Sequence, residues 1–198
     1  MASVSSRLNA ALGLSEEHIN EMDDELAQVL GYESAEHYRR ETDENERVFN
    51  KSKELYNKPP EEWPVIKFNW DYRLESQRFC FDGVTQADFE NKFPEGLVLG
   101  HMPLLEFDKH LCHYSRRDGD ELWELGFQSK LAEMIVYLSE GNPITPPIIK
   151  PVENNEVIFQ GGHHRYAVAK AIGTEEISIY AYPEHVTALN KFMGIRWA

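Results

Sequence analysis

The residues best equipped for chemistry lie together in EVIFQGGHHRYAVAKAIG, residues 156–173. An apolar run meets Gly161 and Gly162, and a helical pattern opens at once with His163, His164 and Arg165. Two glycines let backbone N–H groups turn inward and come close to an anion. A helix N-terminus adds unpaired N–H groups and a partial positive charge. Arg165 brings a bidentate phosphate donor to the first turn. His163 and His164 can donate, accept or transfer protons near neutral pH. A phosphate group is the ligand that uses all of these together. A plain strand–turn–helix junction is the competing account of Gly-Gly alone, and the His-His-Arg run favours the anion site. The pattern predicts a strand over 157–160 and a helix over 163–172, with Gly161 or Gly162 at positive φ.

The elements around this stretch must hold it in place. Residues 122–138 read as a helix with a weak point at Gly126, and Gly141-Asn142-Pro143 ends it. PPIIKPV is a short strand, Glu153-Asn154-Asn155-Glu156 a hairpin turn and VIFQ the return strand. ISIYAY gives another strand, and a last short helix is expected from about Pro183 to Phe192. Upstream, LGHMPLLEFD reads as a strand or strand-turn. Strands and helices in this order make an α+β domain over 99–198. Pro59-Pro60 and Pro64 mark a boundary, and residues 59–98 form an aromatic-rich segment packed on that domain. Within it VIKFNW and RFCFDG alternate like strands, and the aromatics read as core, not as a base-stacking platform. Residues 1–58 read as a helical arm. Ile19, Met22, Leu26, Val29 and Leu30 recur at helical spacing up to Gly31, and Ser34 opens a second, polar helix to about Tyr56.

Residues 99–185 resemble the ParB/sulfiredoxin superfamily. A helix is followed by Pro146-Pro147-Ile148, and a hairpin then returns into Gly-Gly-x-His-Arg-Tyr-Ala, Gly161 to Ala167. A small-residue helix and an apolar strand close the unit. Sulfiredoxins bind ATP on this loop and pass its γ-phosphate to a sulfinic acid. The resemblance therefore implies ATP or ADP as ligand, Gly161 and Gly162 as backbone cradle, and His164 and Arg165 as the phosphate grip. Lys130, on the preceding helix, falls where the family's nucleotide-contacting lysine lies. Sulfiredoxin has its reactive cysteine directly before the His-Arg pair, and here that residue is His163. Imidazole cannot form the mixed sulfur intermediate, so sulfinic-acid repair is not expected, and Cys112 does not stand at that position. ParB partition proteins carry a Glu-Arg-Arg type of box and a helix-turn-helix domain afterwards, which is not expected here. A free-serine kinase group matches the Gly-His-His-Arg run better; Glu106 is a loose candidate for its glutamate base. The implied reaction is phosphotransfer to a small molecule or NTP hydrolysis, with His163 as general base or orienter, Arg165 also catalytic and Mg²⁺ accompanying the nucleotide.

The chain has 198 residues, with 20 Lys and Arg against 34 Asp and Glu, a net charge of −14. That balance argues against charge-driven duplex DNA binding but leaves room for one local positive pocket. No apolar run approaches the roughly 18 residues of a membrane span, and the start does not read as a signal peptide. Cys80 and Cys112 are expected as reduced thiols in a cytoplasmic protein. His110, Cys112 and His113 lack a second well-spaced ligand pair, so no protein-held metal is expected there. Asp118, Asp120 and Glu121 read as a solvated acidic loop that Mg²⁺ could use. Two further functions compete with the enzyme. One is a non-catalytic regulatory or interaction protein of a phage, plasmid or other mobile element, its acidic helical arm engaging a protein partner. The other is a ParB-like nuclease, which the charge disfavours.

Overall fold

Branched and aromatic residues at alternate positions set the strands of a five-stranded mixed sheet. The computed structural model describes residues 15–30, 32–81, 83–124 and 126–198. Chain contacts divide it into two units, Met1–Lys51 and Ser52–Ala198. The aromatic-rich segment thus belongs to the same unit as residues 99–198, and that unit starts seven residues before the Pro59 boundary.

The first unit holds helix α1, Glu16–Leu30, and most of helix α2, Ala35–Ser52. Ser34 caps α2 as its sequence predicts: the His37 amide donates to Ser34 Oγ at 3.1 Å. Arg39 ties the two helices together, donating to Asp23 at 2.5 Å and Asn20 at 2.7 Å. Met22, Leu26 and Val29 are exposed on α1. The side chains of Ile19 and Leu30, and Gly31, lie outside the described residues. No helix of the described residues is long and apolar enough to cross a membrane.

In the second unit the sheet consists of β2 (Val98–Pro103), β4 (Ile148–Pro151), β5 (Val157–Gly161), β6 (Glu176–Ala181) and β7 (Arg196–Trp197). Their order is β5-β4-β6-β2-β7; only the β4–β6 pair is parallel. The short strands β1 (Asn69–Trp70) and β3 (Pro143–Ile144) pair separately, in parallel. Helices α3 (Gln86–Lys92), α4 (Leu104–His110), α5 (Gln128–Ser139), α6 (His163–Ala171) and α7 (Pro183–Leu189) complete the unit. Mixed helix and strand around one sheet is the expected α+β class.

Alternation along β6 decides what covers each face. Ile177, Ile179 and Ala181 join Met102, Ile149, Phe159, Phe107 and Tyr166 in the main core. Tyr180 points the other way, into a second cluster with Ile148, Cys80, Phe89 and Leu97.

Three elements differ from their sequence pattern. RFCFDG does not extend: Leu74–Cys80 is 3-10 helical. Local side-chain bonds explain it. Ser76 Oγ donates to Asp71 at 2.5 Å, and Gln77 brackets the Leu97 peptide, accepting from its amide at 2.7 Å. Cys80 is thereby buried while Phe79 is 53 % exposed. VIKFNW contributes only Asn69–Trp70 to a strand. The helix expected from Leu122 starts at Gln128, because Gly126 takes a φ of 85° and the Trp123 indole is held by the Lys58 carbonyl at 2.9 Å.

Candidate functional site

Strand β5 ends at Gly161, and α6 opens from Gly162 in the left-handed conformation, φ 94°. No side chain caps this helix start. The first-turn amides therefore have no side-chain cap at the end where the helix carries its positive pole. Both glycines also have packing reasons. A Cβ on Gly161 would lie 2.1 Å from the Cys80 carbonyl oxygen, and one on Gly162 would lie 2.5 Å from Cβ of Pro147.

The two histidines sit at the helix start in a positive field. His163 is half-buried, its ring set edge-on to Phe159 at 5.2 Å. Burial first, and then the Arg117 charge, holds it below the ordinary histidine value. His164 is held down to about 4 by burial, and then by His163, Arg117, Lys130 and Arg165. Both imidazoles are uncharged at neutral pH. Proton exchange near neutral pH, expected of both from residue type, is thereby moved to lower pH.

Lys130 stands exposed in the first turn of α5, close enough to act on His164. Gly126 brings the preceding loop against α6: a Cβ there would lie 3.5 Å from His164 Nε2. Arg117 is half-buried, and burial lowers its pKa. One guanidinium nitrogen donates to the Arg116 carbonyl at 2.9 Å. The sequence reading missed Arg117. Its only trace there is an Arg-Arg pair before an acidic run.

Arg165 is placed differently from a free phosphate fork. Nη1 donates to the carbonyls of Thr145 at 3.0 Å and Pro146 at 3.4 Å, and Nη2 donates to that of Phe79 at 2.8 Å. The guanidinium ties α6 to the segment before β4 and to the 3-10 helix. Cys80 lies beneath it, its thiol bonded to the Pro146 carbonyl at 3.4 Å and pushed up to about 12 by burial. It is a structural thiol, not a nucleophile.

On the buried side, Tyr166 donates to Asp108, and Lys170 bonds both Asp108 oxygens at 3.0 and 2.9 Å. Lys170 also reaches Asp118 at 2.9 Å. This network anchors α6 to α4. Asp118 and Glu121 additionally form a capping box around Gly119–Glu121. With Asp118 bound by Lys170 and both carboxylates engaged in the box, they do not fit a Mg²⁺ site; the side chain of Asp120 lies outside the described residues. Among the described residues no group of three or more His, Cys, Asp and Glu is placed to hold a metal. His110 bonds the Asn155 carbonyl at 3.3 Å, Cys112 is buried, and the His113 ring lies against Tyr114 at 3.7 Å, tilted by 39°. Glu106 is engaged by Lys109 at 2.7 Å.

Comparison with known proteins returns no match: no family model fits the chain, and no curated protein or solved structure is significantly similar to it.

Proposed function

We propose that residues 99–198 form a nucleotide-binding domain of the ParB/sulfiredoxin type that takes ATP or ADP by its phosphates at the start of α6. One observation carries the reading. In a protein of net charge −14, the charges of Arg117, Lys130 and Arg165 all bear on His164 at the uncapped helix start. Gathering like charges costs free energy in the free protein, and a polyanion relieves that cost. The first-turn amides and Lys130 hold the phosphates. Arg117 adds its charge to both histidines, while Arg165 fixes the loop through its carbonyl bonds. His163 is the base or orienter for phosphotransfer or NTP hydrolysis, since an uncharged imidazole is the form that accepts a proton.

Calorimetry with ATP, ADP and pyrophosphate tests the binding. Wild type is expected to bind, and Lys130→Ala and Arg117→Ala to weaken binding roughly tenfold each. No phosphate-dependent binding overturns the reading. His163→Ala is expected to leave nucleotide affinity unchanged and to lower turnover on the order of 10²–10⁴-fold. Binding without turnover in wild type moves the protein to the regulatory reading. That reading draws on the carbonyl-bound state of Arg165 and on the exposed Met22, Leu26 and Val29 of the acidic arm, which would meet a protein partner. A metal-dependent nuclease needs metal-holding acids, and Asp118 and Glu121 beside Arg117 are already engaged.

A further inference from the structure

An exposed aromatic ring follows the loop that approaches the start of α6. Phe127 directly precedes α5 and is 71 % exposed, whereas Phe89, Phe107, Tyr166 and Tyr180 are buried. Its chain neighbour Gly126 approaches His164: a Cβ there would lie 3.5 Å from Nε2. The Lys130 ammonium lies 5.8 Å from the ring centroid, within cation–π range. The same ammonium adds to the positive field at His164. One cation thus serves both the apolar ring and the helix start.

We propose that Phe127 seats an aromatic base belonging to the ligand whose phosphates lie at the start of α6. The ligand class is then a nucleotide, not a bare phosphate or a sugar phosphate. This rests on the phosphate reading above. Every base has a π-face, so the seat favours bases as a class without selecting among them. A stacked base also covers ring surface that is otherwise in water.

The test uses ADP, pyrophosphate and adenosine as calorimetric probes on wild type, Phe127→Ala and Phe127→Tyr. The exposed position of Phe127 lets both variants fold, which a melt verifies. ADP is expected to bind wild type about tenfold or more tighter than pyrophosphate. Phe127→Ala is expected to bring ADP down to the pyrophosphate level, Phe127→Tyr to keep the difference, and pyrophosphate to bind all three alike. Equal ADP affinity in wild type and Phe127→Ala, with pyrophosphate still bound, overturns the base seat and leaves the phosphate site standing. Adenosine binding that depends on Phe127, with no pyrophosphate binding, keeps the seat and overturns the phosphate site. No binding of any probe overturns both.

Discussion

Arg165 donates to the Phe79 carbonyl at 2.8 Å across 86 positions of chain. Together with its bonds to Thr145 and Pro146, this makes the guanidinium a clamp between α6, the 3-10 helix and the entry to β4. Charged hydrogen bonds are worth more than neutral ones, and removing the donor takes a partner from the carbonyls of the buried residues Thr145 and Pro146. Arg165→Ala is therefore expected to destabilise the second unit by about 3 kcal/mol in chemical denaturation. Lysine has one ammonium in place of a fork and should rescue little of this. An Arg165→Ala protein that unfolds with wild type would remove the clamp and return the side chain to the phosphate.

Gly161 carries a sharper steric demand. A Cβ there meets the Cys80 carbonyl oxygen at 2.1 Å, and that oxygen is backbone that cannot swing aside. Gly161→Ala should cost about 3 kcal/mol, at the upper end of overpacking. Gly119→Ala, where nothing lies within 4 Å, should stay within about 0.5 kcal/mol. Similar denaturation midpoints for the two variants would contradict the close approach.

The strand–Gly-Gly–helix junction is legible in the sequence because an apolar run stops abruptly at residues that tolerate positive φ, and Gly162 at 94° and α6 from His163 match it. The boundary details depend on partners far along the chain. Aromatic alternation in RFCFDG suggests a strand, yet Gln77 pairs with the Leu97 peptide and winds the segment into a 3-10 helix. Nothing near Leu122 announces that the Lys58 carbonyl will take the Trp123 indole. Arg165 looks like a ligand grip because its three acceptors lie 19 to 86 positions away. Arg117 escapes notice for the converse reason: only the fold brings it to the histidines.

His164 links stability to pH. Its folded value of about 4 lies below the ordinary 6.5, so the unfolded chain binds the proton more tightly. The stabilisation from an uncharged His164 is complete above about 6.5 and is lost as pH falls toward about 4. Allowing for partial solvent screening, the loss is about 1–2 kcal/mol. His164→Asn should lack this part of the acid destabilisation. Parallel stability profiles for wild type and variant between pH 7 and 4 would show that His164 is not held uncharged.

Asp108 joins Tyr166 and Lys170 in one network, so single deletions should not add. Asp108→Ala leaves the buried Tyr166 phenol without its acceptor and the partly buried Lys170 ammonium with Asp118 alone, and about 3 kcal/mol is expected. Lys170→Met should cost less, since Tyr166 still donates to Asp108. The double variant should lose at least 1 kcal/mol less than the sum of the two, measured as a double-mutant cycle. Strict additivity would mean that the contacts in the network are energetically independent.

Anion binding should take up a proton. Burial, the neighbouring His163 and the charges of Arg117, Lys130 and Arg165 hold the free His164 imidazole uncharged, and a bound anion favours its charged form. Affinity then rises as pH falls below the bound-state value, by up to about tenfold per pH unit. Sulfate is the suitable probe, because its own charge is constant from about pH 8 to 5. Calorimetry in two buffers of different ionisation enthalpy should show uptake approaching one proton at the acid end. Lys130→Met should weaken binding and shrink the uptake together, since the lysine depresses the free imidazole and attracts the anion. Sulfate affinity that stays flat across this range, with no buffer dependence, would place the anion away from both histidines.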